Sequence, residues 1–310
     1  MLSRGDEVIV LDDLSTGSLD NVAHLRKSPH FECVVGSAAD AALVESLIDN
    51  CDVIIHLAAA VGVRLVLEKP VRTIENNLFA TGVVLAAAAR SLTAGKSKLV
   101  FIASTSEVYG KNSKSPFRED DDVTLGPTAN ARWAYACSKA MDEWLGLAYW
   151  HERQVPVIIA RFFNTVGARQ TGRYGMVLPT FTDQALAGEP ITVFGTGEQS
   201  RCFCHVDDTV EAVMRLIDTP SAIGEVFNVG STREIRISEL ATAVRDAVGS
   251  DSPIRLLRYE DAYAVGFEDM LRRVPDITKI QRFTGFAPSI PLEQTIVDVI
   301  ADRRARLVQT

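Results

Sequence analysis

The chain has 310 residues, 47% of them hydrophobic and 23% charged, which suffices for one sizeable buried core with a smaller lobe beside it. Its formal net charge of −8 excludes a broad phosphate-tracking surface, so no nucleic-acid partner is expected. A local arginine cluster could still hold a small anion.

In chain order, Glu7-Val-Ile-Val-Leu-Asp12 predicts a strand ending in acid, and Phe31-Glu-Cys-Val-Val-Gly36 a second. Helical spacing over residues 38–48 leads to a third strand, Asp52-Val-Ile-Ile-His-Leu-Ala58. A helix over residues 71–92 precedes the strand Lys98-Leu-Val-Phe-Ile-Ala103, and a helix over residues 133–153 precedes Val155-Pro-Val-Ile-Ile-Ala160. Such alternation predicts an α/β fold, a doubly wound parallel sheet buried on both faces. From about Met176 the alternation loosens, so residues 1–175 read as a Rossmann-like nucleotide-binding domain. Residues 176–310 read mainly as a substrate-binding lobe, with some segments returning to the sheet. Arg-Cys-Phe-Cys-His-Val, residues 201–206, reads as one apolar strand, and the acidic run at residues 119–122 as a solvated loop.

Some function classes fall away on this pass. The five cysteines (Cys33, Cys51, Cys137, Cys202, Cys204) are odd in number and lack Cys-x-x-Cys spacing. They point to reduced thiols in the cytoplasm, not to a disulfide framework or a metal site. The longest apolar stretch, residues 78–89, is shorter than the ~20 residues of a membrane span, so no membrane partner is expected. Doubly wound dinucleotide domains open on a strand and a glycine-rich phosphate turn. Here Met-Leu-Ser-Arg-Gly-Asp-Glu reads as the end of the helix that follows such a turn. The first strand and glycine loop are therefore expected to be missing, through a misplaced start.

The chemistry concentrates in two segments. Tyr135 and Lys139 stand four apart on a predicted helix, hence on one face. A phenol beside an ammonium is a route to a phenolate. Three units of depression from the free value near ~10 need about 4 kcal/mol, within reach of a desolvated cation. Such a phenolate can take a hydroxyl proton while hydride leaves the same carbon. Upstream lies Ser104-Thr105-Ser106-Glu107-Val108-Tyr109-Gly110, a polar run closing a buried strand.

With these two segments stand Val10-Leu-Asp-Asp-Leu-Ser-Thr-Gly17, His56-Leu-Ala-Ala59, Asn77-x-x-x-Thr81 and Arg161-Phe-Phe-Asn-Thr-Val-Gly167. Further on come Phe194-Gly-Thr-Gly-Glu-Gln-Ser-Arg-Cys-Phe203, Asn228-Val-Gly230 and Arg272-Arg-Val-Pro-Asp-Ile277. In this ordered set the chain resembles the extended short-chain dehydrogenase/reductase family that modifies nucleotide sugars. The resemblance implies NAD as cofactor. Asp12 would accept from the adenine ribose hydroxyls and exclude a 2′-phosphate. Asp13, Ser15, Gly17 and Asn77 would add to the cofactor site. The backbone of His56, Leu57, Ala58 and Ala59 would line it, with the His56 side chain a hydrogen-bonded core histidine. It implies Thr105 and Ser106 at the reacting sugar oxygen, Tyr135 as base, and Lys139 on the nicotinamide ribose. Asn164 and Arg201 would contact the substrate diphosphate. The paired helices resemble a four-helix homodimer interface.

Glu107 and Arg273 narrow the reaction. Thr-Ser-Glu, and an arginine just before proline in Arg-Arg-Val-Pro, are similar to the UDP-glucuronate decarboxylase branch. The run Tyr263-Ala-Val-Gly-Phe-Glu-Asp-Met270 also looks like that branch. The resemblance therefore implies decarboxylation of a UDP-linked uronate through a 4-keto intermediate. Alternatives are a UDP-sugar 4-epimerase (hexose or uronate), then a 4,6-dehydratase. From another class comes a silent NAD-binding regulatory module, which the missing glycine loop would favour.

Overall fold

A computed structural model describes residues 1–60, 69–172, 176–258 and 270–307. The segment at residues 263–269, singled out above, lies outside them.

Six parallel strands organise the larger half: β1 (Val8–Asp12), β2 (Phe31–Val35), β3 (Val53–His56), β4 (Leu99–Thr105), β5 (Val157–Phe162) and β10 (Val226–Val229). The last arrives from the second half of the chain and pairs beside β5. Alternate residues of β4 and β5 go to opposite faces, the two-residue period of a strand. Val100, Ile102, Val157 and Ile159 pack under α1 (Ala41–Ile48) and α2 (Pro70–Thr93), through Val44, Val84, Leu85 and Ala88. Phe101, Ile158 and Ala160 meet Ala212, Leu216 and Ile280 on the other face. Because both faces are covered there, residues 99–103 of β4 and 157–160 of β5 are apolar without interruption. Removing one such side chain, as in Phe101→Ala, costs about 3–5 kcal/mol.

Local signals set the element ends. The Asp40 side chain caps α1 by accepting from Leu43 N at 3.1 Å, and Pro70 opens α2 at a position where its missing N–H costs nothing. α3 (Ala134–Arg153), which carries Tyr135, packs beside α2 and against β4. The smaller half holds α4 (Val177–Leu186), α6 (Ile237–Val248) and α8 (Leu292–Leu307), whereas α5 (Val206–Ile217) and α7 (Thr278–Thr284) carry the residues that cover the second face of the parallel sheet. The smaller half's own core joins Leu178, Phe181, Leu240, Val244, Ile296 and Val299.

Two readings are corrected. Residues 201–206 are not one strand. β8 (Ser200–Cys202) pairs with β11 (Glu234–Arg236) and β13 (Arg272–Arg273), whereas β9 (Cys204–His205) pairs with β6 (Thr165–Val166), and β7 (Ile191–Phe194) with β12 (Ile254–Leu257). The chain changes sheet at buried Phe203. The acidic run is not simply solvated. Glu119 accepts from Asn228 N at 2.8 Å, and buried Asp121 pairs with Lys114 at 2.7 Å.

The parallel strands form two groups, β2-β1 and β3-β4-β5-β10. Between β1 and β3 runs a cleft of about 1340 Å³ whose walls include Val8–Asp12 and Val53–His56. Among the described residues no strand bridges it.

Candidate active site

β4 ends at Thr105, and a single 3-10 turn, Ser106–Tyr109, follows. Thr105 Oγ1 caps that turn by accepting from Glu107 N at 3.2 Å. Tyr109 fixes its far end, donating to Asn228 Oδ1 at 2.7 Å and stacking on Phe117 at 4.6 Å. Gly110 then takes φ +57°, and a Cβ there would fall 2.2 Å from Thr124 O, so only glycine lets the chain leave. Buried Ser106 lies within the turn.

α3 faces this turn. A 3-10 turn, Ala131–Trp133, feeds its N-terminus and is capped by Asn130, whose side chain accepts from Arg132 N at 3.2 Å. The Tyr135 phenol is half-buried and hydrogen-bonded to Thr105, so the proposed base and hydroxyl partner do meet. Its expected depression is absent. Burial, then the negative charges of Glu107 and Asp142, push the phenol up; Thr105 and Arg273 act the other way. Lys139 does not supply the lowering, because its Nζ donates to Asp142 Oδ2 at 2.9 Å with both groups buried. Asp142 was missed in the sequence, although position i+3 from Lys139 on a helix was signal enough.

Glu107 is the electrostatic centre. Arg132 Nη2 lies 2.5 Å from its Oε2, and Arg273 Nη1 donates to its Oε1. Burial alone would raise this carboxyl; Arg273 and Arg132, helped by Arg201, hold it down at about 2. Arg273 also donates to Asn164 Oδ1, and Asn164 Nδ2 to Cys202 O at 2.8 Å. In register, Arg273 of β13 lies beside Arg201 of β8. Three guanidinium groups thus surround one carboxylate, a surplus of positive charge suited to an anionic ligand. Arg132 was overlooked, although it stands three residues before Tyr135.

The cleft carries the cofactor candidates. Asp12, Asp13, Ser15 and His56–Ala60 line it, with Lys69 and Arg72 as nearby cations. Asp12 Oδ1 accepts from Leu14 N at 2.7 Å, and Asp13 Oδ1 from Ser15 N at 2.9 Å. Gly17 lies behind Asp12, where a Cβ would come 3.1 Å from Oδ2. An exposed strand-end carboxylate, the small Ala58 and Ala59, and two cations fit a dinucleotide's ribose, rings and diphosphate. Asn77 is placed differently. Buried, it accepts from Ala60 N at 2.8 Å and donates to Ser138 Oγ at 3.1 Å, tying the lining to α2 and α3. The His56 ring is internal, 3.1 Å from Thr81 Oγ1, and burial, then Lys139, hold it neutral down to about 3. Burial also pushes the Cys202 and Cys204 thiols up to about 12 and about 11, so neither is a nucleophile at neutral pH.

Residues 1–230 match the family model described as the NAD dependent epimerase/dehydratase family. The chain belongs to that family. Membership makes it an NAD-dependent enzyme of the extended short-chain dehydrogenase/reductase type. It is 37% identical to a UDP-N-acetyl-alpha-D-glucosaminuronate decarboxylase of Bacillus cytotoxicus, over 97% of this chain and 91% of the relative. It is 34% identical to UDP-glucuronic acid decarboxylase 4 of Arabidopsis thaliana, over 99% of this chain but only 65% of that longer relative. Among solved structures, the UDP-glucose 4-epimerase of Thermotoga maritima superposes with TM-score 0.86 at 26% identity, covering 99% of this chain and 93% of that one. A dTDP-glucose 4,6-dehydratase of Streptomyces venezuelae, solved with NAD, gives TM-score 0.86 at 28% identity, covering 98% and 89%.

Proposed function

We propose that this chain decarboxylates a UDP-linked uronate, UDP-glucuronate first, through a 4-keto sugar. The observation that carries the reading is the Arg273–Glu107 pair set beside the Tyr135–Thr105 pair. An epimerase needs the second pair only. Both decarboxylase relatives support the choice, and the N-acetylated substrate in one relative's name makes that sugar the second candidate.

NAD, when bound, accepts hydride from the sugar and returns it. Asp12, Asp13, Ser15 and the segment 56–60 would hold it, with Gly17 keeping Asp12 clear and Lys139 at the ribose nearest Tyr135. Tyr135 takes the 4-hydroxyl proton, and Thr105 hydrogen-bonds the same oxygen. Oxidation at C4 leaves the C5 carboxylate β to a ketone. The bond from C5 to the carboxyl carbon then breaks, carbon dioxide departs, and the electron pair becomes a C4–C5 enolate. Thr105 and Tyr135 hydrogen-bond that oxyanion. Solvent protonates C5. Arg273 grips the departing carboxylate, Glu107 orients Arg273, and Ser106 supports the turn that carries both Thr105 and Glu107. Asn164 and Arg201 meet the diphosphate.

In this reading residues 1–175 hold the cofactor, and residues 176–310 mainly close over the nucleotide sugar. The free thiols suit a reducing cytoplasm. A second copy of the chain covers the exposed side chains of Val71, Phe79 and Trp144 on α2 and α3.

The test is incubation with UDP-glucuronate, and separately with its 2-acetamido analogue, with NAD supplied. Release of carbon dioxide and a pentose product supports decarboxylation. An isomer of unchanged mass would give the reaction to the 4-epimerase reading instead.

A further inference from the structure

Two arginines grip one carboxylate, but they are held in different ways. Arg132 is buried, its backbone N–H is tied to Asn130, and its guanidinium lies 5.5 Å from the Trp133 ring centroid. Trp133 is itself confined, since a Cβ on Gly126 would sit 2.1 Å from its Nε1. The whole turn leads directly into α3, the helix of Tyr135. Arg273 belongs to a two-residue strand and divides its donors between Glu107 Oε1 and Asn164 Oδ1. Its strand neighbour in register is Arg201, a like charge. An incoming carboxylate can therefore draw Arg273 away, whereas Arg132 is braced on Glu107 Oε2.

We infer that Arg132 is the fixed half of a two-arginine clamp, a positioning residue that holds Glu107 in place as an anion while Arg273 turns to the substrate carboxylate. Only the turning of Arg273 to the substrate carboxylate rests on the decarboxylase reading. The physical reason is charge. Among the described residues four groups face Glu107: Arg132 from the 3-10 turn, Arg273 from β13, Arg201 from β8 and the neutral phenol of Tyr135 from α3. Once Arg273 is shared with a second carboxylate, a half-buried Glu107 without Arg132 would take up a proton rather than stand beside another negative charge. A protonated Glu107 no longer orients Arg273, and it relieves the repulsion that helps the substrate carboxylate depart.

The experiment uses the full chain as wild type, Arg132→Gln and Arg132→Lys. Each is labelled with ¹³C at the glutamate carboxyl and titrated by NMR, with Glu107→Gln assigning the resonance. Wild-type Glu107 stays ionised through pH 4. In Arg132→Gln its midpoint rises by at least one unit, and in Arg132→Lys by less, because a point charge cannot reproduce the planar fork. A bare structural brace would lower the melting temperature and leave the titration where it was. A Glu107 midpoint that rises by less than one unit in Arg132→Gln would overturn the clamp. In turnover with UDP-glucuronate, Arg132→Gln loses carbon dioxide release at least tenfold below pH 6, while formation of reduced cofactor changes less than threefold. Wild type that releases no carbon dioxide would refute the decarboxylase reading alone, since the titration decides the clamp without turnover.

Discussion

Tyr135 and Lys139 show how far one spacing carries. The four-residue interval placed both on the inner face of α3, and the polar run before Gly110 placed Thr105 and Glu107 opposite them. Spacing could not report which anion would claim the ammonium. Asp142 did, at 2.9 Å. Its charge also pushes the Tyr135 phenol up. Asp142→Asn removes that charge, so the base form of Tyr135 becomes available at lower pH. The acid limb of 4-oxidation, followed by reduced-cofactor absorbance against pH, should move downward. The same change strands a buried ammonium, and melting should report a loss of about 3 kcal/mol. Arg132 and Arg273 were equally visible as letters, but only folding brings residues 107, 132 and 273 to one point. The pairing of Glu107 with two arginines comes from tertiary structure alone.

At the level of elements, the uninterrupted apolar runs gave β4 and β5 correctly because a doubly covered strand has no polar side to display. The same logic failed at residues 201–206. Cys202 and Cys204 are both buried, so nothing in the pattern marks the switch of sheet at Phe203. The acidic run failed for the converse reason: Glu119 and Asp121 found backbone and lysine partners that composition does not announce. The junction of β3 and α2 yields an acid-stability prediction. His56 titrates near 6.5 when unfolded and near 3 when folded, so below pH 6.5 the unfolded chain binds a proton that the folded chain refuses. Stability contributed by its neutral form is complete above pH 6.5 and drains away towards pH 3. Between pH 7 and pH 5 this should cost about 2 kcal/mol. Urea midpoints at the two pH values would measure it, and His56→Asn should flatten the difference.

For the whole molecule, the helix pair leaves Val71, Phe79 and Trp144 at 66%, 62% and 57% exposure, an apolar face with charged neighbours such as Arg72 and Glu75. Apolar surface of this kind is covered in oligomers. Sedimentation should give a dimer for wild type and a monomer for Phe79→Glu combined with Trp144→Glu. A wild-type monomer would remove the homodimer from the account.

The cleft between β1 and β3 has a consequence for motion. Each of these strands offers peptide groups to a neighbour on one side and to the cleft on the other, whereas β4 is bonded on both. Deuterium should therefore enter about half the amides of Val8–Asp12 and Val53–His56 quickly while those of Leu99–Thr105 stay protected. A slowing of that uptake when NAD is added would mark the ligand as the rivet that joins two half-sheets into one.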